Sequence, residues 1–272
     1  METIAVLLTV HNRKLKTIAC IEALNRCVLP QGYDYEVLLT DDGSVDGTRD
    51  AIAEYFPEIR ILTGNGDLFW NRGMHKAWSH AIKSNYGLYL LLNDDTLLKP
   101  HALTELISCW KRNPSSIIVG STVDYCDESL VTYGGRVKRR NFPLVYPDPN
   151  KDALCDTFNG NIVLVPHEVV KKIGVLDPYF RHSFGDIEYG LRAKERGVTS
   201  YVVPSIIGYC SRDIHVPIFR QKGRSLWQRY KLLYSPLGYN PFEEFYLNRK
   251  YFSILSSCWW FIKIHINVLF TK

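Results

Sequence analysis

Several familiar signatures are missing from this 272-residue chain, and each absence removes a class of function. No GxxxxGK followed by Ser or Thr occurs, which argues against a P-loop kinase or ATPase. No GxGxxG follows the first apolar run. The turn there is His11-Asn12-Arg13, which cannot approach a pyrophosphate as glycines do, so a dinucleotide oxidoreductase is disfavoured. No GxSxG nucleophile elbow is present. None of the seven cysteines forms a CxxC pair, which argues against a zinc ribbon or a thioredoxin-type motif. They are odd in number and widely scattered, as suits a reducing, cytosolic compartment. The N-terminus lacks a basic n-region and a small-residue cleavage site, so no signal peptide is expected. No internal repeat or low-complexity tract is visible.

What is there is ordinary for a folded protein: 46% apolar and 22% charged residues, which excludes disorder and collagen-like repeats. The length suits one large α/β domain, or one domain plus an appendage. The net charge of +5 hides a split. Residues 1–211 carry 23 Lys/Arg and 25 Asp/Glu, whereas residues 212–272 carry 10 and 3, or +7. That last stretch also holds 14 of the 35 aromatic residues. A basic, aromatic extension has a different task from the body, and an anionic membrane surface or nucleic acid would suit it.

Ile4–Val10 is a continuous apolar run and predicts a buried, parallel, central strand. Further strands are expected at Tyr35–Thr40, Ile59–Leu62, Tyr86–Leu92, Ile117–Thr122, Asn161–Pro166 and Ser200–Val203. Helical spacing marks Lys14–Arg26, Thr48–Tyr55 (capped by Ser44 or Asp46), Met74–Ser84, Pro100–Asn113, Glu168–Ile173 and Ile187–Arg196. Residues 123–158 read as hairpins and loops. Strands alternating with helices mean βαβ units and a mainly parallel sheet.

Two strands end in acidic clusters, Asp41-Asp42 and Asn93-Asp94-Asp95. Ligands of open α/β sheets bind at the carboxyl ends of strands, so both clusters should face one edge. Paired oxygen ligands there suit Mg²⁺ or Mn²⁺ carrying a phosphate. The competing reading is that these residues only cap the following helices.

The runs Val6-Leu-Leu-Thr-Val-His-Asn-Arg13, Leu38-Leu-Thr-Asp-Asp-Gly-Ser-Val-Asp-Gly-Thr48 and Leu90-Leu-Leu-Asn-Asp-Asp-Thr96 resemble the family 2 glycosyltransferases with the GT-A fold. Phe158-Asn-Gly-Asn-Ile-Val-Leu-Val-Pro166 and Phe184-Gly-Asp-Ile-Glu-Tyr-Gly-Leu-Arg192 continue the resemblance in order. It covers residues 3–210 and is nearest to the rhamnosyltransferase-like enzymes of bacterial surface polysaccharide assembly. It implies a GT-A catalytic domain over 1–211, with a nucleotide-sugar half to about 122 and an acceptor half from 123. Residues 212–272 form the extension.

The resemblance further implies a nucleotide pocket of Thr9, Asn12, Arg13, Asp41 and Asp42, with a uracil or thymine base held by a carboxylate. Its DxD motif falls on Asn93-Asp94-Asp95. Asp95 then binds the metal, Asn93 bonds a sugar or ribose hydroxyl, and Asp94 shares the load. Asn71 and Arg72 lie in a Gly-rich segment, 64–74, expected as a loop over the nucleotide, with Arg72 pairing with a diphosphate. Phe69 and Trp70 either pack in the core or wall the sugar pocket. Gly160 suits a floor under the sugar. The resemblance places the catalytic base at Asp186, with Glu188 as runner-up; the plainer alternative is that Asp186 caps its helix. Arg192 stands at (i, i+4) from Glu188 for an ion pair. The family's further metal ligand, a His, has no clear match among Cys210, His182 and His215; His215 is carried forward.

The activity so implied is an inverting transfer of a sugar from a UDP- or dTDP-sugar to a glycan or lipid-linked glycan. A sugar-phosphate nucleotidylyltransferase would need a Gly- and Arg-rich loop after the first strand, which is absent. A non-catalytic membrane scaffold would not need Asp41, Asp42, Asp95 and Asp186 intact. Residues 251–270 are just long enough to span a bilayer. Lys263, His265 and Asn267 argue instead for a helix lying in the interface, or one packed on the domain. The expectation is a peripheral enzyme on the cytoplasmic face of a membrane, with no nucleic acid partner.

Overall fold

The computed structural model describes residues 1–212 and 223–270. The first half runs β1 (Glu2–Val10), α1 (Lys14–Asn25), β2 (Tyr33–Asp41), α2 (Thr48–Tyr55), β3 (Arg60–Thr63), α3 (Phe69–Ala81), β4 (Leu88–Leu92), β5 (Leu97–Leu98), α4 (Ala102–Arg112) and β6 (Ile117–Val123). Four short strands follow: β7 (Val131–Tyr133), β8 (Gly135–Arg136), β9 (Ala153–Cys155) and β10 (Thr157–Phe158). Then come β11 (Ile162–Pro166), α5 (His167–Ile173), α6 (Gly185–Glu195) and β12 (Ser200–Tyr209). The extension holds α7 (Leu226–Leu233), α8 (Pro241–Tyr251) and α9 (Ile254–Leu269).

The main sheet is ordered β3-β2-β1-β4-β11-β6-β12-β5, with β7 on β6 and β9 on β12. β1 lies parallel to both β2 and β4. Ile4, Val6 and Leu8 point into a core shared with α1, α2 and α4, whereas Ala5 and Leu7 join α3, α5 and α6 on the other face. Both faces are covered, which is why the strand reads as an unbroken apolar run. β11 is antiparallel to β4 and β6. The apolar pattern carries no direction; β11 follows the hairpins of 123–158 instead of a crossover helix, and so runs the other way.

Two local corrections bear on the site. α3 starts at Phe69, five residues before the expected Met74, so only 64–68 remain a loop. The first amides of a helix need acceptors, and here Asp42 supplies them. Its Oδ1 accepts from Gly66 N–H (2.8 Å), and its Oδ2 from Leu68 and Phe69 N–H (2.9 Å each). α3 can approach β1 because residue 73 is glycine: a Cβ there would sit 2.1 Å from Thr9 Oγ1. For α2 the side-chain acceptor is Asp46, which takes Thr48 N–H at 3.0 Å, while Ser44 Oγ accepts Asn12 N–H.

The 20-residue stretch from 251 is not one helix. α8 ends at Tyr251, and α9 begins after Ser253, whose Oγ accepts Ser256 N–H. α8 packs Leu247 and Tyr251 against Phe180, Ile187 and Leu191, and α9 packs Ile264 and Val268 against Leu233 of α7. Among the described residues no helix is long and apolar enough to cross a membrane.

Glu244 of α8 is buried, and burial pushes its carboxyl up to about 7 against hydrogen bonds from Tyr239 and Asn248. The fold therefore favours the neutral acid. Below about pH 4.5 both folded and unfolded chains are protonated and nothing is lost. Between there and pH 7 the unfolded chain ionises first, so stability falls as pH rises. Glu244→Gln removes that penalty. It should match wild type in thermal melts at pH 4 and exceed it at pH 8, by at most about 3 kcal/mol. A pH-independent difference would contradict this.

Candidate active site

The carboxyl ends of β1, β2 and β4 open on a cavity of about 380 Å³. Of the residues expected at a nucleotide, Thr9, Arg13, Asp42 and Asp94 line it. Phe69 and Trp70 line it too, and Trp70 also packs against the core on the α3 face of the sheet, so both features expected of these rings meet in Trp70. Trp70 is held by its indole N–H, which donates to Asn93 Oδ1 at 2.7 Å. Asn93 thus positions a wall and is not among the lining residues. Gly160 is the floor for this ring rather than for open space, since a Cβ there would lie 2.5 Å from Trp70 Cζ2.

His11, His182 and Leu237 also line the cavity, and sequence reasoning did not place them at a nucleotide. His11 was within reach, because it sits in the first strand-end motif; its Nδ1 lies 2.6 Å from Asp42 O. Leu237 belongs to the extension and carried no local signal. Burial and the nearby Arg13 charge lower the pKa of His182, so its ring is neutral at pH 7.

Other expected residues lie elsewhere. Asp41 is buried and accepts Ser44 N–H through Oδ1 (3.1 Å), fixing the turn after β2. Asn12 Oδ1 accepts Val45 N–H at 2.7 Å and pins the same turn. Asn71 is fully buried, and its amide donates to Asp177 O and Phe180 O at 2.8 and 2.7 Å. Arg72 Nε donates to Pro178 O at 2.9 Å. Asn71 and Arg72 therefore moor the 177–180 segment, which leads into α6. Both were expected at the nucleotide, Arg72 on the diphosphate; with α3 already starting at Phe69, these bonds run to the 177–180 segment.

At the end of β4, Arg13 Nη1 pairs with Asp94 Oδ1 (3.1 Å) and Asp95 Oδ2 (2.9 Å). Burial pushes Asp94 up to about 6 although Arg13 opposes it. Asp95 faces a separate cavity of about 340 Å³ with Lys16, Tyr209 and Cys210. Cys210 Sγ lies 3.6 Å from Asp95 Oδ1, but burial and Asp95 push its thiol up to about 12. A neutral thiol is a poor partner for a hard cation. Two adjacent carboxylates do fit Mg²⁺ or Mn²⁺, with phosphate oxygens and water as the other ligands. Among the described residues no group of three His, Cys, Asp or Glu could hold a metal. His215 lies outside the described residues.

Asp186 stands at the start of α6, one residue inside the helix rather than at its cap, which is Phe184. Its Oδ2 accepts Gly160 N–H (2.9 Å) and its Oδ1 accepts Ile187 N–H (2.8 Å). Burial raises its pKa, while the Gly160 and Ile187 amides and the Arg136 charge hold it down. The neighbouring carboxylate Glu188 is not among the groups that shift it.

Glu188 is not available as a base. It is fully buried and saturated: Arg192 Nη2 and Lys250 Nζ lie 2.8 and 2.7 Å away, and Tyr251 Oη donates at 2.7 Å. The expected (i, i+4) pair with Arg192 is present, but the other two partners come from α8.

Comparison with known proteins adds to this geometry. The family model described as "Glycosyl transferase family 2" matches residues 5–174. A Staphylococcus aureus protein named poly(ribitol-phosphate) beta-N-acetylglucosaminyltransferase TarP is 23% identical over 276 residues, covering 92% of this chain and 78% of TarP. Glycosyltransferase AglE of Haloferax volcanii is 25% identical over 217 residues, or 75% of this chain and 66% of AglE. Among solved structures, S. aureus TarS residues 1–349 superpose with a TM-score of 0.58 at 12% identity, over 78% of this chain and 60% of that one. The same TarS fragment in complex with UDP gives 0.57 at 12% identity, over 86% and 70%.

Proposed function

Because the chain belongs to glycosyl transferase family 2, we propose that it moves a sugar from a UDP- or dTDP-sugar to a hydroxyl of a glycan or lipid-linked glycan, with inversion. The observation that carries this reading is the convergence of Thr9, Arg13, Asp42 and Asp94 on one cavity at the strand ends. The UDP seen in a structural neighbour supports the donor class. The catalytic unit is residues 1–211, its donor half ending near 122, and residues 212–272 complete it.

Asp186 accepts the proton of the attacking hydroxyl as the bond to the anomeric carbon forms and the nucleoside diphosphate leaves. A raised pKa suits a carboxylate that must take up a proton near neutrality. Asp95 and Asp94 would hold Mg²⁺ or Mn²⁺, with His215 as a candidate further ligand, and the cation would neutralise the leaving diphosphate. Phe69 and Trp70 exclude water from one side of the donor cavity. Asp95→Ala should abolish Mn²⁺-dependent UDP binding in calorimetry while leaving the thermal melt near wild type. Unchanged binding would remove Asp95 from the metal site.

The extension also supports a peripheral membrane location, on the cytoplasmic face. All seven cysteines are free, as in a reducing compartment. α9 carries Leu255, Trp259, Ile262, Ile266 and Leu269 on one exposed stripe, opposite the face packed on α7. Such a stripe, with +7 in the extension, suits an anionic bilayer surface. The full chain should float with phosphatidylserine vesicles at low salt, and the exposed-face variant W259E/I262E should not. A full chain that stays in the pellet, or a variant that floats equally, would contradict this.

A further inference from the structure

A second cavity, of about 470 Å³, lies apart from the donor cavity. It lies between the 139–142 loop, Phe184 and helices α8 and α9. The two cavities share a partition. His182 and Leu237 face the donor side, while Phe184 and Tyr239, each two residues further along its own segment, face the other. Phe184 and Tyr239 meet edge to face, with centroids 5.4 Å apart. Two residues beyond Phe184 in the chain stands Asp186, which is on the lining of neither cavity but accepts the N–H of Gly160, the residue packed under Trp70 of the donor wall. Arg136 ties the far wall to it: Nη1 donates to Phe142 O at 2.7 Å, and its charge acts on Asp186.

The walls combine rings and cations. Phe142 and Phe252 pack edge to face at 6.0 Å, and the Arg140 guanidinium stacks on Trp260, 4.7 Å from the ring centre. A stacked guanidinium keeps its N–H edges free for a bidentate anion. Arg139 is exposed beside it, and neither arginine has a carboxylate within ion-pair distance among the described residues. Asn141, Phe142 and Phe184 all line this cavity with positive φ, at 64°, 42° and 69°. Left-handed backbone at bulky residues is costly and gathers at ligand sites.

Resting on the glycosyltransferase reading, we propose that this cavity is the acceptor subsite, and that it selects an acceptor carrying a phosphate group next to a sugar or apolar chain. The paired arginines take the phosphate, and the rings take the neighbouring body. The hydroxyl to be glycosylated then approaches Asp186 from the side opposite the donor. Glu244 also lines the cavity; pushed up to about 7 by burial, it presents a partly neutral carboxyl that does not fully oppose an anion at neutral pH. The extension is thus part of the acceptor site as well as a surface anchor.

The test uses the full chain, saturated with Mn²⁺ and UDP so that the donor site is filled. Octyl phosphate, glycerol 3-phosphate and octyl β-glucoside are titrated by calorimetry. Octyl phosphate should bind, octyl β-glucoside should bind far more weakly, and R139Q/R140Q should weaken octyl phosphate by about tenfold or more. An equal loss for glycerol 3-phosphate identifies the phosphate of a soluble polyol as sufficient. A loss confined to octyl phosphate identifies a lipid-borne phosphate. Octyl phosphate affinity unchanged in the variant, or matched by the glucoside, overturns the proposal. If the wild type binds no UDP with Mn²⁺, the donor reading fails instead, so the two failures are separable.

Discussion

Asp186→Asn should bind donor as the wild type does and turn it over at least about 10²-fold more slowly, the range for loss of a general base. The substitution is nearly isosteric, so the cavity walls stay in place. It is not free of structural cost. The carboxylate accepts Gly160 N–H on one oxygen and Ile187 N–H on the other. Asparagine has a single acceptor oxygen, so one of these amides loses its partner, at about 1–3 kcal/mol. The melt of the variant must therefore be measured beside its rate. Lost turnover in a folded, UDP-binding protein supports the assignment, whereas wild-type turnover removes Asp186 from the chemistry.

Glu188→Ala should act on stability, by about 3–5 kcal/mol, as when one partner of a buried ion pair is removed. Arg192 would keep its bonds to Ile173 O and Val175 O, but Lys250 and Tyr251 would lose the carboxylate that docks α8 on α6. Burial alone would raise the Glu188 pKa, yet Arg192, Lys250 and Tyr251 outweigh it and hold it below the ordinary value. Its contribution is therefore complete above about pH 4.5 and lost as pH falls below that. A large drop in melting temperature at pH 7, narrowing toward pH 3, is the expected result. A variant that melts like wild type but has lost turnover would restore Glu188 as the base.

The contrast between these two carboxylates shows what was legible in the sequence. Strand β1, the acidic strand ends and Asp186 rest on short-range pattern: an apolar run, an Asp pair after it, an Asp opening a helix. All three are readable because period and motif are local. Glu188 looked like an alternative base because its partners, Lys250 and Tyr251, lie about sixty residues away on a helix the sequence did not delimit. Asp42 was expected among the residues around the base and ribose; it lines the donor cavity, and its carboxylate also accepts three amides of the 66–69 segment, a bond set that no spacing rule announces. Asn71 sits in a segment that reads as a loop, and only the early start of α3 turns it inward. Leu237 and Tyr239 enter the two cavities through tertiary packing, so the extension's share in the site was not visible in its charge and aromatic content.

A strand-end site that cleaves a nucleotide-sugar must release the nucleoside diphosphate. The most direct measurement is nucleoside diphosphate release by the purified full chain from a panel of UDP- and dTDP-sugars, with and without Mn²⁺ or Mg²⁺. Release is expected from at least one donor, dependent on the cation and lost in Asp186→Asn. Absence of release from every donor, in a chain that also fails to bind UDP or dTDP with the cation present, would contradict the proposed function.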